Sequence, residues 1–195
     1  MKRIQLGLAA LLCAAGAQAD TLYTLAAPTG PLSSPGSVPA TFSAGAGAGN
    51  VTFELQVYTT LDGDNFFIDI FHLTVNGAEI FSGTWNLGGG GANRTLLDLT
   101  GATVTISAPT KTVDIIVPVT LVSGSNTVTF AYDSPTSFEG TSRAGPQGLG
   151  DEGWGLNSAV ITGNAAVGVV PEVETYALML AGLTVMGFMA RRRKS

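Results

Sequence analysis

The chain has 195 residues, 14 of them acidic and 9 basic, for a formal net charge of −5. Charged residues make up 12% and glycine numbers 26, about half and about twice their average shares. With 45% apolar residues, this excludes a charge-rich disordered chain and a coiled coil. The acidic balance excludes the basic footprint of a nucleic-acid binder.

The charges are unevenly placed. Six of the nine basic residues are Lys2, Arg3, Arg191, Arg192, Arg193 and Lys194. Between Asp20 and Val170 only Arg94, Lys111 and Arg143 are basic, against twelve acids, a net of −9. That block of 151 residues is one domain's worth of chain, enough to bury a core.

In chain order, residues 1–19 read as a secretory signal peptide. Lys2-Arg3 is the positive n-region, residues 6–17 are apolar, and Ala17-Gln18-Ala19 is a small-x-small cleavage site. Asp20 is then the expected mature start. Cys13, the one cysteine, falls inside the removed segment, and Leu11-Leu12 before it is a poor lipobox. A mature chain without cysteine has no disulfides to use.

Residues 28–39 carry four prolines and residues 44–49 an Ala-Gly repeat, both loop signals. Val51, Phe53, Leu55 and Val57 alternate with polar residues, the period of a strand with one buried face. From residue 66 to 75 the apolar positions change parity: Phe66, Ile68 and Ile70, then Phe71, Leu73 and Val75. A β-bulge between Ile70 and Phe71 would restore register. Asn76-Gly77 follows, the strongest short hairpin signal, with residues 79–85 as the returning strand. Gly88 to Gly91 is a further loop. Val113, Ile115, Val117, Val119 and Leu121 form another apolar face, and Pro118 opposite makes that strand an edge or bulged one. Val128, Phe130 and Tyr132 mark a short strand, and residues 134–150 a long irregular loop. Short strands separated by turn signals point to an all-β sandwich.

The last segment has three parts. Residues 170–175 (VPEVET) are a short polar motif, residues 176–190 an uncharged apolar run, and Arg191-Arg192-Arg193-Lys194 a basic stop. Fifteen helical residues reach about 22 Å, short of the roughly 30 Å hydrocarbon core. The cations fit the positive-inside rule, with the acidic body on the far side of the membrane.

Asp62, Asp64, Asn65 and Asp69 gather oxygen-bearing side chains within eight positions. Hard oxygen ligands suit Ca²⁺, and Asp151 and Glu152 complete the set if the fold brings the loops together. The competing reading is an acidic turn, since Asp, Asn and Gly are ordinary turn residues. Phe138 and Trp154 are candidate sugar-stacking rings. Trp154 also suits a core position, as do Trp85, Tyr58 and Tyr132. His72 reads as a solvated strand residue opposite the Phe71–Leu73 face. With no second histidine and no mature cysteine, a His-based metal cluster and a thiol nucleophile are excluded. Gly88 to Gly91 lacks the Lys-Ser/Thr that would follow in a phosphate loop.

The terminal segment resembles the PEP-CTERM sorting signal. The resemblance covers about 25 residues: the Val-Pro-Glu start, the apolar run, a Gly-Phe pair and the arginine cluster. Val173 stands where that pattern has proline. The resemblance implies export, transient residence in the inner membrane and processing by an exosortase near Pro171-Glu172, with Arg191, Arg192 and Arg193 as part of the signal. It also implies a Gram-negative bacterium that makes exopolysaccharide.

A second resemblance lies in the middle block. Leu61-Asp62-Gly63-Asp64-Asn65, residues 71–81 and residues 150–162 are similar to stretches of jelly-roll, lectin-like domains of bacterial surface proteins. Asn157 and Ser158 depart from that pattern's Asp and Asn.

The expected organisation is a signal peptide (1–19), a jelly-roll-like β-sandwich (20–165), a spacer (166–169) and a sorting signal (170–195). The last contains a short transmembrane helix over about residues 176–190 and a basic tail at 191–194. The expected role is a non-enzymatic exported module associated with exopolysaccharide, with the export machinery and an exosortase-type enzyme as partners and no nucleic acid. Calcium is the one cofactor the residues invite. A structural matrix protein without a ligand and a polysaccharide hydrolase are the alternatives.

Overall fold

The computed structural model describes residues 19–134 and 152–166, together with 180, 181 and 183. Leu180, Ala181 and Leu183 are helical. The chain divides into two compact units, Met1–Ala165 and Ala166–Ser195. Among the described residues no helix is long and apolar enough to cross a membrane. The signal peptide, the apolar run and its basic stop lie outside them.

The described body is all-β. Eleven strands follow one another: β1 (Asp20–Thr24), β2 (Leu32–Ser33), β3 (Gly36–Ala44), β4 (Gly47–Val57), β5 (Ile70–Val75), β6 (Ala78–Thr84), β7 (Arg94–Asp98), β8 (Thr103–Ser107), β9 (Thr112–Leu121), β10 (Gly124–Asp133) and β11 (Gly153–Gly163). They form two antiparallel sheets. One runs β1-β11-β4-β9-β8, with β2 also on β11, and the other β3-β10-β5-β6-β7.

Alternation decides which face is buried. Val51, Phe53, Leu55 and Val57 of β4 point inward with Val113, Ile115, Val117, Val119 and Leu121 of β9. From the other sheet come Phe71, Leu73 and Val75 of β5 and Val128, Phe130 and Tyr132 of β10. Rings bridge the sheets. Phe53 lies 5.4 Å from Phe71 and 5.0 Å from Phe130, and Tyr132 lies 5.4 Å from Trp154. Of the Ala-Gly repeat expected as a loop only Gly45 and Ala46 connect: Ala44 ends β3 and Gly47 begins β4, and they carry the chain from one sheet to the other.

The Asn76-Gly77 hairpin forms as expected between β5 and β6. Both residues take positive φ, 52° and 83°, which a type I′ turn requires. The Asn76 side chain also ties the turn to β10. Its Oδ1 accepts from the Thr127 amide at 2.9 Å and its Nδ2 donates to Asn126 Oδ1 at 3.0 Å.

Two strand expectations need correction. There is no bulge between Ile70 and Phe71: β5 begins at Ile70, and Phe66 is 71% exposed in a turn. The turn forms because Asn65 Oδ1 accepts from the Phe67 amide at 2.6 Å, an Asx turn that outcompetes strand pairing. The real parity changes lie elsewhere. One is in β11, where the ladder shifts between Leu156 and Ser158 and leaves Asn157 extra. The inward set then passes from Trp154 and Leu156 to Ala159 and Ile161. Another is in β6, which carries Ile80 unpaired opposite Leu73 and Thr74. The second correction concerns β9, which is interior over Thr112–Ile116, between β4 and β8. Only beyond Ile116 does β9 lack a neighbour on the β8 side, and Pro118 falls in that half, where a missing N–H is tolerated.

On the outer face, His72 Nδ1 and Glu79 Oε1 are 3.0 Å apart. Partial burial pushes the Glu79 carboxyl up, but the hydrogen bonds from His72 and Ser82 and the His72 charge outweigh it, so its pKa is lowered. A lowered acid pKa stabilises the fold above the unfolded value, and that contribution is lost as pH falls through the folded one. At 39% exposure solvent screens the pair, so its contribution is about 0.2–1 kcal/mol. Glu79→Gln is expected to lose that amount in urea unfolding near about pH 6, with the deficit shrinking toward about pH 3. In the core, Phe71→Ala is expected to cost about 3–5 kcal/mol, while Phe66→Ala costs less than about 0.5 kcal/mol.

Candidate acidic site at the loop end of the sandwich

Two connections converge at one end of the body. The first runs from the end of β4 to β5 and carries Asp62 and Asp69. The second joins β10 to β11, with Ser134 at its start and Glu152 at its end.

The Asp62–Asp69 loop closes on itself. The Asp62 amide donates to Asp69 Oδ2 at 2.6 Å, and the Asp69 amide donates back to the Asp62 carbonyl at 3.1 Å. That carbonyl also accepts from the buried Thr84 hydroxyl at 3.0 Å. The glycine run from Gly88 to Gly91 lies against this loop, with Gly63 N donating to Gly90 O at 2.8 Å. At Gly89 a Cβ would stand 2.5 Å from Asp62 Oδ2, so this position needs glycine for the close approach. The run thus has a packing reason, and Asn86 Oδ1 holds it by accepting from the Gly88 and Gly90 amides.

The carboxylates of Asp62, Asp69 and Glu152 offer oxygens that all lie within 4.8 Å of one another. Asp69 and Glu152 are buried, at 0% and 2% exposure. The Ser134 Oγ sits among them, 2.6 Å from Asp69 Oδ1, 2.5 Å from Glu152 Oε2 and 2.5 Å from the buried Ser34 Oγ. The two hydroxyls carry two protons for these three close oxygen contacts.

Burial pushes the Asp69 carboxyl up, and the Asp62 charge adds to this. Hydrogen bonds from Ser134, the Asp62 amide and Glu152 pull it down, yet the net direction is upward. Two buried carboxyls this close resist being ionised together unless something neutralises them.

Beneath this layer lies an aromatic one, generated by strand periodicity. Side chains two residues apart share a face. Two residues beyond Asp69 is Phe71, two before Ser134 is Tyr132, and two beyond Glu152 is Trp154. These rings pack together, Tyr132 lying 5.7 Å from Phe71 and 5.4 Å from Trp154. Among the described residues the buried Tyr132 hydroxyl has no hydrogen-bond partner. Burial and the Asp69 charge push its pKa well above the usual phenol range. A buried polar group left unpaired costs about 1–3 kcal/mol.

The sequence-nominated residues divide as follows. Asp62, Asp69 and Glu152 meet. Asp64 turns away, to an ion pair with Arg94 at 2.5 Å. Asn65 serves the turn, its Nδ2 donating to Asp62 Oδ1 at 2.7 Å, so it braces a ligand candidate instead of joining the oxygen cluster. Asp151 and Phe138 lie outside the described residues, as do Pro171, Glu172, Arg191, Arg192 and Arg193. Trp154 is a correction: it is fully buried, with Nε1 donating to the Ser33 carbonyl at 3.1 Å, and offers no face to a sugar. Trp85 and Tyr132 are likewise core, while Tyr58 is 42% exposed. His72 stands on the outer face, paired with Glu79. Ser134 and Ser34 were not among the nominated residues, and Tyr132 was read only for its ring. The only sequence signal for them is the two-residue spacing of Tyr132 and Ser134 at the end of β10.

The chain matches no family model and no curated protein sequence.

Proposed function

We propose that the chain is an exported, non-enzymatic surface or extracellular-matrix module, delivered by an exosortase-type sorting system and associated with exopolysaccharide. Its body would be a sandwich of the jelly-roll kind. The observation that carries this reading is the coincidence of strand limits and address patterns. The first strand starts at Asp20, the residue that follows the small-x-small pattern. The last strand ends at Gly163, seven residues before the Val-Pro-Glu motif starts at Val170. Asp20 and Gly163 are register partners, and Asp20 Oδ2 accepts from the Ala165 amide at 3.3 Å. Both ends of the β-body therefore emerge side by side. Glu152 lies at the other end of β11, about 33 Å away at the usual rise per strand residue.

This layout suits a passenger between two removable addresses. It brings the body's first and last strands together at one end, and the acid-rich body suits a hydrated matrix.

In a Gram-negative host that carries an exosortase, the expected result is an exported chain lacking residues 1–19 and shortened at a point near Pro171-Glu172, as read by intact mass after cell fractionation. A full-length chain in the cytosol with both ends intact would contradict the reading. On a glycan array the exported protein is expected to retain one or a few polysaccharides; a flat array would leave the structural matrix role in place of carbohydrate association.

A further inference from the structure

We infer that Asp62, Asp69 and Glu152, with the Ser134 hydroxyl, form a binding site for one calcium ion that clamps the loop end of the sandwich. The inference rests on the described body alone and stands or falls apart from the export reading.

The donor set argues for a hard cation. Every group in the cluster is an oxygen donor, three of them carboxylates whose oxygens lie within 4.8 Å of one another. Oxygen-only sets favour Ca²⁺, Mg²⁺ or Mn²⁺ over Zn²⁺ or Cu²⁺. Magnesium keeps most of its waters in a near-ideal octahedron and takes one or two carboxylates. Three carboxylates from two segments, with a hydroxyl, suit the larger and less regular shell of calcium.

An acidic cluster alone would not carry this. The second observation is Tyr132. The residue is 1% exposed and, among the described residues, its buried hydroxyl has no hydrogen-bond partner; its ring packs on Phe71 and Trp154, each two residues from an acid of the cluster. A core aromatic with no polar duty would be phenylalanine. A tyrosine here has a use when something above it accepts its proton. A water in the shell of a bound cation is such an acceptor.

The clamp has a structural purpose. The segments it joins are distant in sequence, Asp62 and Asp69 preceding β5 and Glu152 preceding β11 of the opposite sheet. The body from Asp20 onward contains no cysteine, so no disulfide can make that link.

The test uses the full-length chain in mild detergent, stripped with EDTA. Titration with CaCl₂ is expected to show one site per chain with Kd between about 10⁻⁵ and 10⁻³ M, and millimolar CaCl₂ to raise Tm by about 1 to 10 °C, more for the tighter Kd. Glu152→Gln and Asp69→Asn are each expected to weaken binding at least about tenfold and to remove the Tm response, while Asp64→Asn, whose carboxylate faces Arg94, keeps both. Tyr132→Phe is expected to fold and to bind calcium less tightly. Should the Glu152 and Asp69 variants fail to fold, Tb³⁺ luminescence sensitised by Trp154 in the unmodified chain, quenched by added Ca²⁺, gives the same answer. No heat, no Tm shift and no sensitised Tb³⁺ emission would overturn the site. An unchanged calcium response in Glu152→Gln would overturn its assignment to these residues. An equal response to Mg²⁺ would overturn the choice of calcium.

Discussion

The end of this sandwich is governed by one constraint: two buried carboxyls, Asp69 and Glu152, share a serine hydroxyl and cannot both stay charged without a neutralising partner. Their placement follows from strand geometry. β5, β10 and β11 each present an aromatic residue inward and, two positions toward the same end, an oxygen-bearing residue: Phe71 with Asp69, Tyr132 with Ser134, Trp154 with Glu152. The apolar layer excludes water from below, which raises the cost of leaving the acids unpaired and strengthens any ion that meets them. The same layer closes the core, because Phe71 touches Phe53, Phe81, Trp85 and Tyr132. Core and site are thus consecutive rungs of the same three strands.

The surrounding loops are fitted to that arrangement. The Asp62–Asp69 turn holds itself by a reciprocal pair of hydrogen bonds, Thr84 anchors its carbonyl, and the glycine run supplies a backbone thin enough to lie against the Asp62 carboxylate. At the opposite end, Asp20 meets Gly163 and Ala165. The proposed role uses this polarity. The described body begins and ends at Asp20 and Ala165, side by side, and the acidic cluster lies at the other end of β11.

Much of the fold was legible because buried strands announce themselves by period two. β4, β9 and β10 did so, and Asn76-Gly77 announced its hairpin. The edge strands did not. β7 (RTLLD) is almost wholly exposed and has no apolar rhythm to read, and β8 (TVTIS) offers only Val104 and Ile106, half-buried, as a two-residue rhythm. β3 was hidden by Pro39 and the prolines before it. Parity changes were the hardest signal. The flip between Ile70 and Phe71 came from an Asx turn followed by a strand, whereas the flip from Leu156 to Ala159 is a bulge at Asn157, whose amide is held by Glu54 and Gln56. The acids of the site were readable as residue types. Which of them turn inward was not, since Asp64 and Asn65 have the same turn chemistry as Asp62 and differ only in what the fold puts beside them: Arg94 for one, Asp62 itself for the other. A hydroxyl such as Ser134 or Tyr132 gives no sequence signal of its role.

The central claim, that a cation and not a shared proton balances the buried acids, is tested most directly by a crystal structure of the protein grown in millimolar CaCl₂, with anomalous differences measured at long wavelength. The account predicts an anomalous peak about 2.3–2.6 Å from oxygens of Asp62, Asp69 and Glu152, with a water between the ion and Tyr132. Density free of such a peak in millimolar CaCl₂, with the three carboxylates held together without an ion, would contradict it.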